Sequence, residues 1–77
     1  MKLTPETLYI VRINLGITQG RLGRSVGITG SLIGQIERDE RPLSNELAAR
    51  LRAAFPVSDE LIDDVVEANR RLNAKEE

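Results

Sequence analysis

Apolar residues recur at helical spacing in five stretches of the chain, and a hydroxyl residue precedes each stretch. Residues three or four positions apart share one face of a helix, so this spacing predicts amphipathic helices. The five preceding residues suit the N-cap position, where a side-chain oxygen accepts from a free backbone N–H: Thr4, Thr18, Thr29, Ser44 and Ser58. The pattern predicts an all-α protein with helices at about 5–15, 19–26, 30–37, 45–54 and 59–73.

The stretch 18–38 predicts two short helices joined by a tight turn. Leu22 and Val26 lie four positions apart on one face of the first helix. Gly27 suits the left-handed conformation that ends helices at little steric cost. The next helix directs its isoleucines inward and leaves small and amide side chains outside. Two helices joined by such a glycine turn are typical of a helix-turn-helix, whose second helix enters the DNA major groove.

A charged residue lies on the apolar side of the first predicted helix. Leu8, Val11 and Leu15 have inward spacing, and Arg12 lies on the same stripe. A buried charge is strongly unfavourable unless it is paired. Arg12 is therefore expected either to meet a carboxylate or to extend to water beside the stripe.

The last predicted helix has two neighbouring apolar rows, one beginning at Leu61 and the other at Ile62. One row can pack on the first and fourth helices, and the other needs a cover. A second copy of the chain would provide it, and the alternative is that the helix wraps its own domain. We expect a homodimer whose interface includes Leu61, Ile62, Val65, Val66, Asn69 and Leu72. Ala74 to Glu77 are expected to fray.

Composition narrows the possible functions. A chain of 77 residues predicts a single domain, 1–77. The sequence contains no cysteine and no histidine, so disulfides, the commonest metal ligands and the commonest general base are excluded. Asp63 and Asp64 point about 100° apart on a helix and cannot share a substrate. No phosphate-loop motif, signal peptide or membrane span is recognisable. We expect a cytoplasmic protein that is not an enzyme, has no cofactor or metal, and does not enter a membrane.

Charge is distributed unevenly around a net charge of −1. Residues 1–36 carry four basic side chains and one acidic one, whereas residues 37–77 carry seven basic and eleven acidic ones. A nearly neutral total can therefore include a basic binding face, although ordinary scatter gives a similar distribution. DNA affinity from such a local face should be sensitive to salt.

The stretch 18–38, T-Q-x-x-L-G-x-x-V-G-I-T-x-S-x-I-x-Q-I-E-R, resembles the helix-turn-helix of lambda- and Cro-type phage repressors and Xre-like bacterial regulators. The likeness extends to Arg12 and to R-P-L-S at 41–44, and it covers roughly residues 8–55. It implies a five-helix lambda-repressor-like fold and double-stranded DNA as partner. The chain departs from the usual pattern at three glycines. Gly23 replaces alanine, Gly30 a frequent base-reading glutamine, and Gly34 a serine or another polar residue.

The resemblance also implies roles for individual residues. Glu37 would pair with Arg12. The base-facing set on the second helix of the motif would be Thr29, Gly30, Ser31, Leu32 and Gln35. The phosphate-binding set would be Thr18, Gln19, Arg38, Arg41 and Asn45. The alternative for Gln19 is a solvated polar side chain at the helix start. Asp39 and Glu40 would repel DNA if they faced it.

Two functions remain at this point. The first is a sequence-specific transcriptional regulator, expected to be a repressor, that binds a two-fold operator as a homodimer. The second is a protein-interaction module or antirepressor on the same fold, with a regulatory protein as its partner. Gly30, Gly34 and the acidic loop fit the second function, because they reduce base reading and phosphate attraction.

Overall fold

Residues 1–75, which the computed structural model describes, form five helices and no strand. The helices are α1 (Pro5–Asn14), α2 (Gln19–Val26), α3 (Gly30–Glu37), α4 (Asn45–Ala54) and α5 (Asp59–Lys75). The all-α, five-helix prediction is therefore confirmed. Helix α5 extends past the predicted end at 73, so the fraying expected of 74 and 75 is not observed. The same expectation for residues 76–77 lies outside the described residues.

Each helix begins at the predicted hydroxyl residue. In all five cases the side-chain oxygen accepts a hydrogen bond from the backbone N–H three residues later, at 3.1–3.2 Å. These bonds satisfy one of the free N–H groups that every helix leaves at its start. Helix starts were predictable because capping depends on residues that are close in sequence.

The helices enclose one hydrophobic core. Helix α3 packs on α2 and α1, α2 also packs on α4, and α5 packs on α1. Leu3, which precedes α1, is fully buried. The sequence pattern did not predict this burial, because Leu3 lies outside any helical repeat. The buried apolar residues are Leu3, Leu8, Ile10, Val11, Leu22, Val26, Ile33, Ile36, Ala48, Leu51, Phe55, Ile62 and Val66.

Arg52 holds the connection between α4 and α5. Its Nη2 donates to the carbonyl oxygen of Val57 at 2.9 Å, and its Nε donates to Oδ1 of Asp59 at 2.8 Å. The hydrogen bond from Arg52 lowers the pKa of the Asp59 carboxyl. The direction in which α5 leaves the core is thereby fixed. Within residues 1–75, no helix combines the length and apolar character needed to cross a membrane.

Candidate nucleic-acid interface

Helices α2 and α3 form a helix-turn-helix. Gly27 ends α2 in the left-handed conformation, with φ of 79°. The backbone N–H of Ile28 then donates to the carbonyl of Gly23 at 2.9 Å, and the Thr29 hydroxyl caps α3. The turn is therefore held by its own backbone bonds and by the partly buried Ile28 side chain.

Glycines allow α2 and α3 to approach closely. A Cβ added to Gly30 would lie 2.9 Å from both the Cα and the backbone nitrogen of Gly20. A side chain at position 30 would therefore meet the backbone of α2, so Gly30 could face DNA only through its own backbone. The physical reason is that a helix start packed against a neighbouring backbone has no room for a side chain there.

The outward side of α3 carries Ser31 and Gln35, opposite the buried Ile33 and Ile36. Ser31 is exposed and Gln35 is partly buried. Leu32 lies at the edge of this surface, where it packs partly against the core. Thr29 is exposed, and its hydroxyl oxygen already accepts the capping bond from Leu32 at 3.1 Å.

The predicted ion pair between α1 and the end of α3 is present. Nε and Nη2 of Arg12 donate to the two carboxylate oxygens of Glu37 at 2.6 and 2.9 Å, and the side chains are only 8% and 3% exposed. Nη1 of Arg12 also donates to the carbonyl of Ile17 at 2.9 Å. The guanidinium lies 5.8 Å from the centre of the Tyr9 ring, within cation–π range. The buried charge is therefore fully engaged and links α1 to the helix-turn-helix.

The Gln19 side chain joins this pair. Its Nε2 donates to Oε1 of Glu37 at 3.1 Å. The first turn of α2 is thus connected to the last turn of α3 through the same carboxylate that holds Arg12. No pattern of residues predicted this bond, because Gln19 and Glu37 lie at opposite ends of the motif.

In the loop after α3, the Glu40 carboxylate forms an ion pair with Arg38, which was expected to contact a DNA phosphate. Nε and Nη2 of Arg38 donate to the two carboxylate oxygens of Glu40 at 2.8 and 3.3 Å. The hydrogen bond between Arg38 and Glu40 lowers the pKa of the Glu40 carboxyl and raises the pKa of the Arg38 guanidinium. Asp39 adopts a left-handed backbone, φ 62°, which turns Glu40 back towards Arg38. The pairing of Glu40 with Arg38 was not predicted, because it depends on the backbone conformation of this turn, which residue spacing does not show.

The remaining residues of the phosphate set lie near helix starts or in the same loop. Thr18 is the N-cap of α2, and Asn45 is the first residue of α4. Arg41 is exposed between α3 and α4. Helix starts carry free N–H groups and a partial positive charge, which favour an anion such as a DNA phosphate.

The predicted dimer residues of α5 divide into two groups. Ile62 and Val66 are only 1% and 8% exposed and belong to the core of their own domain. Their assignment to a dimer interface was therefore wrong, because this row packs inward on α1. Leu61 and Leu72 are 45% and 64% exposed, and Val65 and Asn69 are partly buried. A groove of about 130 Å³ lies beside the row that begins at Leu61, lined by Val11, Asn14, Leu15, Val57, Leu61, Ile62 and Val65.

The fold and the geometry of α2 and α3 define a helix-turn-helix DNA-binding domain. The helix-turn-helix family profile matches residues 8–62, which is most of the chain. The protein therefore belongs to the Cro/C1-type helix-turn-helix family of DNA-binding regulators. Comparison with curated proteins and with solved structures found no match.

Proposed function

We propose that the protein is a sequence-specific transcriptional repressor that binds a two-fold operator as a homodimer, with α3 in the major groove. One observation carries the proposal: Ser31 and Gln35 project from the side of α3 opposite its buried isoleucines. A recognition helix must present polar side chains to base edges while its other side packs on the domain.

Gln35 is the principal base-reading residue in this proposal. A glutamine amide can donate to N7 of adenine and accept from its N6 amino group, and such a pair discriminates by about 1–3 kcal/mol. Ser31 can donate to or accept from a base, Leu32 can contact a thymine methyl, and Thr29 lies at the start of the helix. This is a small set, so DNA shape should provide part of the specificity.

Phosphate contacts would position the domain on DNA. The start of α2 supplies Thr18 and Gln19, the start of α4 supplies Asn45, and the intervening loop supplies Arg38 and Arg41. Arg38 must exchange Glu40 for a phosphate. Both side chains are more than half exposed, so this exchange requires no burial of an unpaired charge.

A dimer would supply the affinity that one domain lacks. Two copies double the base and phosphate contacts, and a two-fold pair places its recognition helices about 34 Å apart, one turn of DNA. The exposed row of α5 supports an interface through Leu61, Val65 and Leu72, with Asn69 at its edge. These apolar side chains would lose contact with water when a second α5 covers them.

Selection of bound sites from a random DNA pool tests the proposal. We expect an inverted repeat whose half-sites are separated by about 10 base pairs, or one helical turn. Enrichment of isolated half-sites would contradict the two-fold arrangement. Failure to enrich any sequence would contradict specific DNA binding.

The second function, a protein-interaction module or antirepressor, is favoured by one observation. Glu40 neutralises Arg38, the cation closest in sequence to the recognition helix. A regulatory protein would then replace DNA as the partner. Binding of the isolated protein to DNA, measured at several salt concentrations, separates the two functions, because the interaction module should show no salt-dependent binding.

A further inference from the structure

The Gln19 amide lies over α3 at the place where a side chain at position 34 would begin. A Cβ added to Gly34 would lie 3.1 Å from Nε2 and 3.3 Å from Oε1 of Gln19, and 3.1 Å from Nη1 of Arg38. Both polar atoms of the amide are thus at similar distances from one point. The amide lies across Gly34, and a methyl group at this position would have to displace the amide from its place.

Glu37 determines the orientation of the amide. An ionised carboxylate only accepts hydrogen bonds, so the atom of Gln19 that faces it must be the nitrogen. This agrees with the 3.1 Å bond from Nε2 to Oε1 of Glu37. One N–H of the amide is used, and the second N–H and the carbonyl oxygen remain for another partner.

The carboxylate that holds Gln19 is itself buried and paired. Both oxygens of Glu37 accept from Arg12, and the Glu37 side chain is almost fully buried. Gln19 is therefore attached to the buried Arg12–Glu37 pair, although it lies in the first turn of α2. An ordered side chain loses less conformational freedom on binding than a mobile one.

We propose that Gly34 and Glu37 are positioning residues that hold the Gln19 amide ready to donate its second N–H to a DNA phosphate. This inference rests on the proposed DNA-binding function. It gives the Arg12–Glu37 pair a role in binding besides its role in stability. It also explains why this chain has glycine at position 34, where the space above α3 is occupied by a side chain from α2.

The first test is Gly34→Ala, because it removes the space without removing Gln19. Alanine has a higher helix propensity than glycine, so the melting temperature should be unchanged or higher. The dissociation constant for both operator and unrelated DNA should rise about three- to tenfold, because a phosphate contact is independent of sequence. An operator affinity equal to that of the wild type would overturn the inference.

A double-mutant cycle with Gln19→Ala separates this role from a general disturbance of α3. Gln19→Ala alone should weaken binding by a similar factor, and Gly34→Ala should cause no further loss in the Gln19→Ala background. If the two losses multiply, Gly34 acts independently of Gln19 and the inference is wrong.

NMR of the free protein gives a readout that does not depend on DNA. The chain has two glutamines, Gln19 and Gln35, so the side chain of Gln35 serves as an internal reference. The amide protons of Gln19 should exchange with water more slowly than those of Gln35, and Gly34→Ala should remove the difference. Equal exchange in the wild type would overturn the inference, whereas a wild type that binds no DNA would overturn the proposed function.

Discussion

The backbone carbonyl oxygen of Ile28 lies so close to Gly23 that a Cβ added there would meet it at 2.6 Å. The carbonyl carbon of Thr29 would lie at 2.9 Å from the same position. These atoms belong to the backbone of the turn and cannot move away as a flexible side chain can. The close contact between α2 and the turn therefore explains why position 23 is glycine and not the alanine that is usual in the family.

Gly23→Ala should destabilise the protein by about 1–3 kcal/mol, because overpacking outweighs the gain in helix propensity. Gly20→Ala is the matched control, since a Cβ there would have no atom within 4 Å. The control should be neutral or stabilise by up to about 1 kcal/mol. Denaturant unfolding measures both, and a Gly23→Ala variant as stable as the wild type would contradict this account.

Arg12→Ala should lower the free energy of unfolding by about 3 kcal/mol or more, because it leaves the buried Glu37 carboxylate without its main partner. Replacement of both residues, as Arg12→Met with Glu37→Leu, should be much milder, since no uncompensated charge remains. Thermal unfolding compares the variants. A melting temperature of Arg12→Ala within a degree or two of wild type would show that the pair contributes little.

Gln35→Ala should weaken operator binding by about 1–3 kcal/mol and relax the preference at one base pair in each half-site. Gln19→Ala provides the contrast, because a lost phosphate contact should weaken all sequences about equally. Sites selected from a random pool by each variant give the comparison. An unchanged site profile for Gln35→Ala would mean that α3 does not read bases through this residue.

Glu40→Gln should tighten binding to unrelated DNA and steepen its salt dependence, by about 0.9 in the slope for one more phosphate contact. Arg38 would then be free of its internal partner. Asp39→Asn is the matched control, because it removes one charge from the same loop and leaves the Arg38–Glu40 pair intact. Equal effects of the two substitutions would attribute the change to net charge alone.

The pH dependence of this pair has a defined sign. Arg38 donates to Glu40 and holds the pKa of that carboxyl below its ordinary value of 4.5. The pair is therefore intact above the ordinary glutamate pKa and is lost as the pH falls through the lowered value. The difference in DNA binding between wild type and Glu40→Gln should accordingly shrink in the acidic range.

Val65→Asp and Leu72→Asp should give folded monomers that bind the operator weakly, because each places a charge in the proposed α5 interface. Val66→Asp should instead unfold the domain, since Val66 lies in the core. Sedimentation equilibrium at micromolar concentration, together with circular dichroism, distinguishes these outcomes. A wild type that remains monomeric even with operator DNA would contradict the dimer.

The helices, their caps and the helix-turn-helix follow from the sequence alone, because they depend on residues within one or two turns of each other. The sequence also indicated that Arg12 needs a partner, and the resemblance to a family supplied Glu37. The tertiary structure alone decided which row of α5 is buried, since both rows are apolar and periodicity cannot choose between them. It likewise decided the directions of Gly30 and Gly34 and the contact of Glu40 with Arg38. Those features depend on distances between separate elements and on the backbone conformation of Asp39, which no pattern of residue types encodes.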